Sequence, residues 1–323
     1  MLLVTGATGY LGSALVKVLV ERGLPVRAVV RSPGRAAVLP AGVEQVFADL
    51  DDDDSLARAM RGCDGAFHLA ASVGHSPAET RRANVVGTVN VLRAVRRSGL
   101  RRLVYTSSSA AIVDASGLVS ERAPNRTALT DPYSTSKAEA EGLVFAAVED
   151  GLDASIVNVV NAYGPSPRGP LSYNGLFLAA ARGEVAEIVD ASVGWVLAED
   201  VALGHVLAFE KGEPGRRYVL CGEVAGFGRV LDRFAELAGT PHRAHRLPPG
   251  ATLPEGAPLF ARRSEVYGHL GPVRVDDAGA RALGFSARGV EEGLALTVAW
   301  MGGEGLRGGS TGRPRGRSGE AHR

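Results

Sequence analysis

The heptapeptide Asp131-Pro132-Tyr133-Ser134-Thr135-Ser136-Lys137 sets a phenol and an ammonium four residues apart. On a helix that spacing puts both side chains on one face. A free tyrosine titrates at about pH 10, and a neighbouring positive charge favours its phenolate, which makes the phenol usable as a general acid or base. Only three of the 36 basic residues are lysines, at positions 17, 137 and 211, so a lysine at this spacing carries weight that an arginine would not. Upstream, Tyr105-Thr106-Ser107-Ser108-Ser109-Ala110 offers hydroxyls that could hydrogen-bond a substrate oxygen beside Tyr133. A polar turn is the plainer reading of such a serine cluster.

A second group of residues could bind phosphate. Thr5-Gly6-Ala7-Thr8-Gly9-Tyr10-Leu11-Gly12 stands between an apolar run and an amphipathic stretch at the start of the chain. A dinucleotide pyrophosphate needs outward-facing backbone N–H groups with no Cβ in the way. Gly6 permits the sharp turn, Gly9 lets the phosphates approach, and Gly12 lets helix and strand pack closely. An NAD-preferring site places an acidic side chain about 20 residues on, at the end of the second strand, to hold the ribose 2′-hydroxyl. Here Arg31 stands at that point, in Val26-Arg27-Ala28-Val29-Val30-Arg31-Ser32-Pro33. The missing acid, and a guanidinium able to grip a 2′-phosphate, favour NADP(H) over NAD(H).

Both groups must be positioned by a scaffold. The runs at 2–5, 26–30, 43–47, 65–69, 103–107 and 155–160 read as buried strands, and 10–22, 55–61, 79–97 and 132–149 between them read as helices. Strand–helix alternation implies a parallel sheet covered on both faces, a doubly wound α/β Rossmann fold. After Tyr163 the alternation becomes irregular. Residues 164–174 carry three prolines and read as a loop, helices are expected near 175–182, 199–211 and 228–238, and 241–272 is Pro-rich and hard to read. The expected division is a dinucleotide-binding domain over 1–165, with segments near 185–222 returning to it, and a smaller substrate lobe over 166–302. Residues 303–323, rich in Gly, Ser and Arg, are expected to be a disordered tail.

Composition narrows the function. With 36 basic and 35 acidic residues the net charge is +1, which argues against a dedicated nucleic-acid binder. Cys63 and Cys221 lie too far apart for a zinc-ligand spacing, and a reduced cytoplasmic setting is the natural default. The apolar opening lacks a basic leader and is broken by glycines at 6, 9 and 12, so neither an export signal nor a membrane span is expected. The acidic run Asp51–Asp54 falls at a helix start, where carboxylates favour the dipole, and no metal site is expected. His75 reads as a loop histidine, and Trp195 and Tyr163 as packing residues.

These motifs, in this order and spacing, resemble the extended short-chain dehydrogenase/reductase superfamily, within its epimerase/dehydratase group. The resemblance runs through TGATGYLG, FADL, FHLAA, Asn84-Val85-Val86-Gly87-Thr88, TSSSA, YSTSK and AYGP, and covers about residues 1–302. VRAVVRSP and TSSSA look most like dihydroflavonol-reductase-like members. The resemblance implies that Tyr133 is the proton donor or acceptor, and that Lys137 lowers its pKa and binds the nicotinamide ribose. Ser109 matches the catalytic serine, with Ser108 as the fallback. Gly6, Thr8, Gly9, Tyr10, Leu11 and Gly12 would form the cofactor turn, and Asp49 and Leu50 would flank adenine. Leu69, Ala70, Ala71 and Asn84 would line the path to the nicotinamide, with Ser107 approaching through its backbone. Val159, Leu197 and Glu199 depart from residues common in the family and bear on the substrate lobe.

The expectation is an NADP(H)-dependent oxidoreductase acting on a ketone or secondary alcohol of a small organic molecule. One alternative is an epimerase that oxidises and re-reduces a nucleotide sugar with tightly held NAD. Another is a non-catalytic NADP(H) sensor, although such relatives lose Tyr or Lys from the active pair. Nucleic acid and membrane are not expected partners, and fold-level analogy admits a homodimer.

Overall fold

Apolar, β-branched runs covered on both sides form the centre of the molecule. The strands are β1 (Leu2–Thr5), β2 (Val26–Val30), β3 (Glu44–Phe47), β4 (Gly65–His68), β5 (Arg102–Ser108), β6 (Asp153–Val159) and β7 (Arg217–Leu220). They pair in parallel in the order β3-β2-β1-β4-β5-β6-β7. The computed structural model describes residues 1–74, 76–240 and 242–302; His75 and the tail at 303–323 lie outside the described residues.

Strand residues alternate between two cores. Leu2 and Val4 enter one, against α1 (Tyr10–Glu21) and α5 (Ala198–Lys211), while Leu3 enters the other with α2 (Asp53–Met60), α3 (Gly87–Ser98) and α4 (Pro132–Glu149). All four residues of β1 are buried, as a strand covered on both faces requires. The chain passes outward from β1 to β3, then crosses back to β4 and continues the other way. The crevice at the carboxyl ends of β1 and β4 is therefore the switch point, where open sheets of this kind bind ligands.

The helix expected over 79–97 is three pieces: Pro77–Arg81, a π-turn at Arg82–Val86, and α3. The π-turn changes the side-chain register where Asn84 turns inward. Beyond β6, the strands Asn161–Tyr163, Ser192–Leu197 and Glu223–Gly226 form a separate small sheet. Helices Tyr173–Ala181 and Phe227–Leu237 pack there around the fully buried Trp195, Tyr163, Phe177 and Phe234. Within the stretch that the sequence left open lies a further helix, Arg262–Gly268.

Both cysteines are free thiols. No described helix is long and apolar enough to cross a membrane. Asp52 caps α2 by accepting from the Ser55 N–H at 3.0 Å, and Asp53 and Asp54 face Arg97 in ion pairs.

Candidate active site

The glycine turn lies against the chain leaving β4. Gly6 has φ of +69°, and a Cβ there would stand 2.6 Å from the backbone nitrogen of Ala70. A Cβ on Gly12 would collide with the Gly6 carbonyl oxygen, so α1 can start this close to β1 only with glycine at that place. Gly9 caps α1 without any side-chain bond, and its N–H donates to the Gly6 carbonyl at 2.8 Å. The first turn of α1 thus presents N–H groups unobstructed by a side-chain cap. Thr8 is half-buried. Tyr10 and Leu11 pack against the core, and the Tyr10 hydroxyl donates to the Gly164 carbonyl at 3.0 Å while accepting from Asn174 at 3.2 Å. Tyr10 therefore braces the turn against the loop after Tyr163.

The other residues expected at the cofactor lie at or beyond the carboxyl ends of the sheet's strands and on the π-turn before α3. Arg31 follows β2 and is exposed. Asp49 is exposed after β3, and the Leu50 carbonyl accepts from Asn90 at 2.7 Å. Leu69, Ala70 and Ala71 leave β4 beside Gly6. Asn84, buried, accepts from the Ser72 N–H at 2.7 Å and donates to the Ser72 carbonyl at 3.0 Å and to Ser136 Oγ at 2.9 Å. Its amide pins the loop after β4 to α4. The Ser107 hydroxyl, buried at the end of β5, has no hydrogen-bond partner among the described residues.

Helix α4 begins where a capping Asp and a first-turn Pro predict it. Asp131 accepts from the Ser134 N–H at 3.2 Å and from its hydroxyl at 2.6 Å. Tyr133 in the first turn is half-buried, and the Ser108 side chain lies close enough to act on its phenol. Burial pushes the phenol's pKa up, and the Ser108 side chain and the nearby Arg263 guanidinium act against that rise.

Two placements bear on the reading from sequence. Ser108, the fallback there to Ser109, is the serine whose side chain acts on the Tyr133 phenol. Ser108 ends β5 in an extended conformation, whereas Ser109 opens a buried 3-10 turn over Ser109–Ala111. And Lys137, although one turn from Tyr133, directs its ammonium elsewhere: it donates to Tyr105 Oη at 3.1 Å and to the Thr106 carbonyl at 2.7 Å. A desolvated ammonium takes the nearest acceptors. The face of the Tyr105 ring, 4.7 Å from Nζ to centroid, adds a cation–π contact. Burial pulls the Lys137 pKa down to about 8, with Glu141 one turn on opposing the fall.

Several residues that complete this surrounding were not singled out in the sequence. Tyr105 holds Lys137. Asn158 on β6 donates to the Ser108 carbonyl at 3.1 Å and also to the buried Glu141, whose other oxygen accepts from Arg217 at 2.8 Å. From the helix Arg262–Gly268, Arg263 ion-pairs with Asp131 at 3.0 Å and stands 6.0 Å from the Tyr133 ring centroid. Among so many arginines, only three-dimensional proximity distinguishes it.

The model of the NAD-dependent epimerase/dehydratase family matches residues 2–221. The chain belongs to that family. It is an NAD(P)-dependent enzyme of the extended short-chain dehydrogenase/reductase type. Among curated relatives, sterol demethylase protein B of Methylococcus capsulatus is 32% identical over 93% of this chain and 97% of its own length. A putative dihydroflavonol 4-reductase of Synechocystis is 34% identical over 76% of this chain and 74% of its own. Among solved structures, the UDP-glucose 4-epimerase of Thermus thermophilus, in complex with NAD, superposes with a TM-score of 0.75 at 27% identity, covering 95% of this chain and 99% of that one.

The residues present in this epimerase/dehydratase family member fit a nicotinamide dinucleotide. The turn has a backbone cradle that a Cβ at Gly6 or Gly12 would fill, α1 starts without a side-chain cap, and a buried Ser107 hydroxyl is left without a partner among the described residues.

Proposed function

We propose that this protein reduces a ketone of a small organic molecule, or oxidises the corresponding secondary alcohol, with NADP(H). The observation that carries this reading is the placement of Tyr133, with Ser108 acting on its phenol, at the carboxyl end of β5 in the sheet whose switch point lies at the glycine turn. Bound there, the reduced cofactor supplies the hydride that a carbonyl carbon receives.

In this mechanism the Tyr133 hydroxyl gives its proton to the carbonyl oxygen, and the phenolate left behind recovers a proton from solvent. Ser108 holds that oxygen by a hydrogen bond that strengthens as negative charge grows on it. Lys137, fixed by Tyr105 and Thr106, keeps a positive charge near the reacting groups and meets the cofactor ribose. The turn of Gly6, Thr8, Gly9 and Gly12 takes the pyrophosphate, and Asp49 and Leu50 border the adenine. Arg31 meets the 2′-phosphate that distinguishes NADP(H). The two free thiols suit a reduced, cytoplasmic setting.

The test is a fluorescence titration of NADPH against NADH, followed by a carbonyl panel with the preferred cofactor. The expected result is consumption of one reduced cofactor per alcohol formed. In Tyr133→Phe, turnover should be lost while cofactor affinity is largely kept; full activity of that variant would overturn the mechanism. NAD retained through purification with no net consumption would point instead to an epimerase.

A further inference from the structure

Tyr133 is enclosed by more charge than its own helix supplies. Ser108 faces it from β5, Asp131 from the cap of α4, and Arg263 and Tyr267 from the lobe helix Arg262–Gly268. Tyr173 approaches from the helix Tyr173–Ala181, Tyr105 lies behind it, and Lys137 stands one turn on with its ammonium directed to Tyr105 and Thr106. Arg263 is the cation in contact with the ring.

The guanidinium of Arg263 uses both its edge and its face. Its edge pairs with Asp131 Oδ1 at 3.0 Å. Its carbon lies 5.3 Å from the Tyr267 ring centroid and 6.0 Å from that of Tyr133. Its side chain is only 13% exposed, against 34% for the neighbouring Arg262. A planar, permanently charged group can hold a carboxylate and lie against rings at the same time, which an ammonium cannot do.

We propose that Arg263 is a positioning residue for the proton-transfer step, clamping the cap of α4 through Asp131 and lying over the Tyr133 ring, so that the proton donor is completed by the docked lobe helix. This deepens the reading above and rests on it for the role of Tyr133. The catalytic helix and the lobe are then coupled through one side chain. Asp131 works in the opposite sense to Arg263, because its carboxylate disfavours the phenolate that the guanidinium favours.

The two charges make the inference testable by sign. In the full-length protein, Tyr133 is titrated by the ultraviolet absorbance of its phenolate, as the difference between each variant and the same variant carrying Tyr133→Phe. Arg263→Met should raise the Tyr133 midpoint by about one pH unit, with Arg263→Lys restoring part of it. Asp131→Asn, which keeps the helix cap, should lower the midpoint. In turnover, Arg263→Met should depress kcat and leave KM for NADPH unchanged. An unmoved midpoint in Arg263→Met, or movement in the same direction in both charge variants, would overturn the inference. Should Arg263→Met fail to fold, an unmoved or raised midpoint in Asp131→Asn does so alone. The titration needs no substrate. Opposite shifts without any carbonyl turnover would therefore reject the reductase reading while leaving Arg263 as the partner of Tyr133.

Discussion

Three consecutive serines run from the end of β5 into the turn after it, and their surroundings differ enough to assign them different duties. The buried Ser107 hydroxyl has no partner among the described residues, the Ser108 side chain acts on the Tyr133 phenol, and Ser109 is tucked into the 3-10 turn. Ser108→Ala should therefore lower kcat by about 10²-fold, the loss typical of removing one donor to a developing oxyanion. Ser109→Ala should stay within a few-fold of the wild type, and steady-state kinetics on the two variants decides between them. A second outcome at this scale concerns the exposed Arg31. A charge-assisted bond to a 2′-phosphate is worth about 1.5–3 kcal/mol. Arg31→Ala should thus raise KM for NADPH roughly tenfold or more and leave KM for NADH unchanged; equal effects on both cofactors would remove Arg31 from the 2′-phosphate site.

At the level of elements, the turn from β1 into α1 depends on the absence of two side chains. Gly12→Ala would drive a methyl into the Gly6 carbonyl, so α1 must retreat and the N–H groups of its first turn with it. We expect NADPH affinity to fall at least about tenfold, measured by fluorescence titration, with a lower Tm as the helix unpacks. The parts of this architecture that could be read from sequence are those specified locally. The inner strands β1, β2, β4, β5 and β6 carry apolar runs because helices cover the sheet on both faces, whereas the edge strand β3 is largely exposed. Helix α4 was legible to the residue because Asp131 and Pro132 announce its start. The π-turn at Arg82–Val86 was not, since nothing in the apolar spacing of 79–97 marks an extra residue per turn. In the lobe the helices expected near 175–182 and 228–238 are present, but its strands were not legible, because Asn161–Tyr163 and Glu187–Val189 are three residues long and are held by partners distant in sequence. The same holds within the site. Tyr133 and Lys137 could be found by spacing, but the acceptors that draw Lys137 toward β5, and the guanidinium that crosses about 130 positions to reach Asp131, follow only from the folded packing.

Across the whole molecule, the sheet is tied together by polar groups that water does not reach. Glu141 on α4 joins Asn158 on β6 to Arg217 on β7, and His205 on α5 joins Thr106 on β5 at 2.8 Å to the Val201 carbonyl at 2.8 Å. His68 lies buried between Thr5 at 2.7 Å and Thr88 at 3.3 Å. Burial holds His68 down to a pKa of about 3, with Lys137 adding to the fall, and His205 down to about 4, each from an ordinary 6.5. In the unfolded chain both imidazoles take up protons as the pH falls through 6.5, while the folded protein keeps them neutral until about pH 4 and below. Their contribution to stability is then full above about pH 6.5 and is lost as the pH falls from there toward 4, because the unfolded state binds up to two more protons. Each proton contributes about 1.4 kcal/mol per pH unit, so the two together give a slope of up to about 2.7 kcal/mol per unit. Glu121 works against this at the acidic end: burial raises its carboxyl, so the folded state there holds a proton that the unfolded state has released. The steepest loss should therefore lie near pH 5 to 6, followed by urea denaturation at fixed ionic strength. His205→Gln should remove about half of that slope, even where it lowers stability at neutral pH. A free energy of unfolding that stays level from pH 7 to pH 5 would mean that these imidazoles gain protons in the folded state, and that the polar ties across the sheet are open to water.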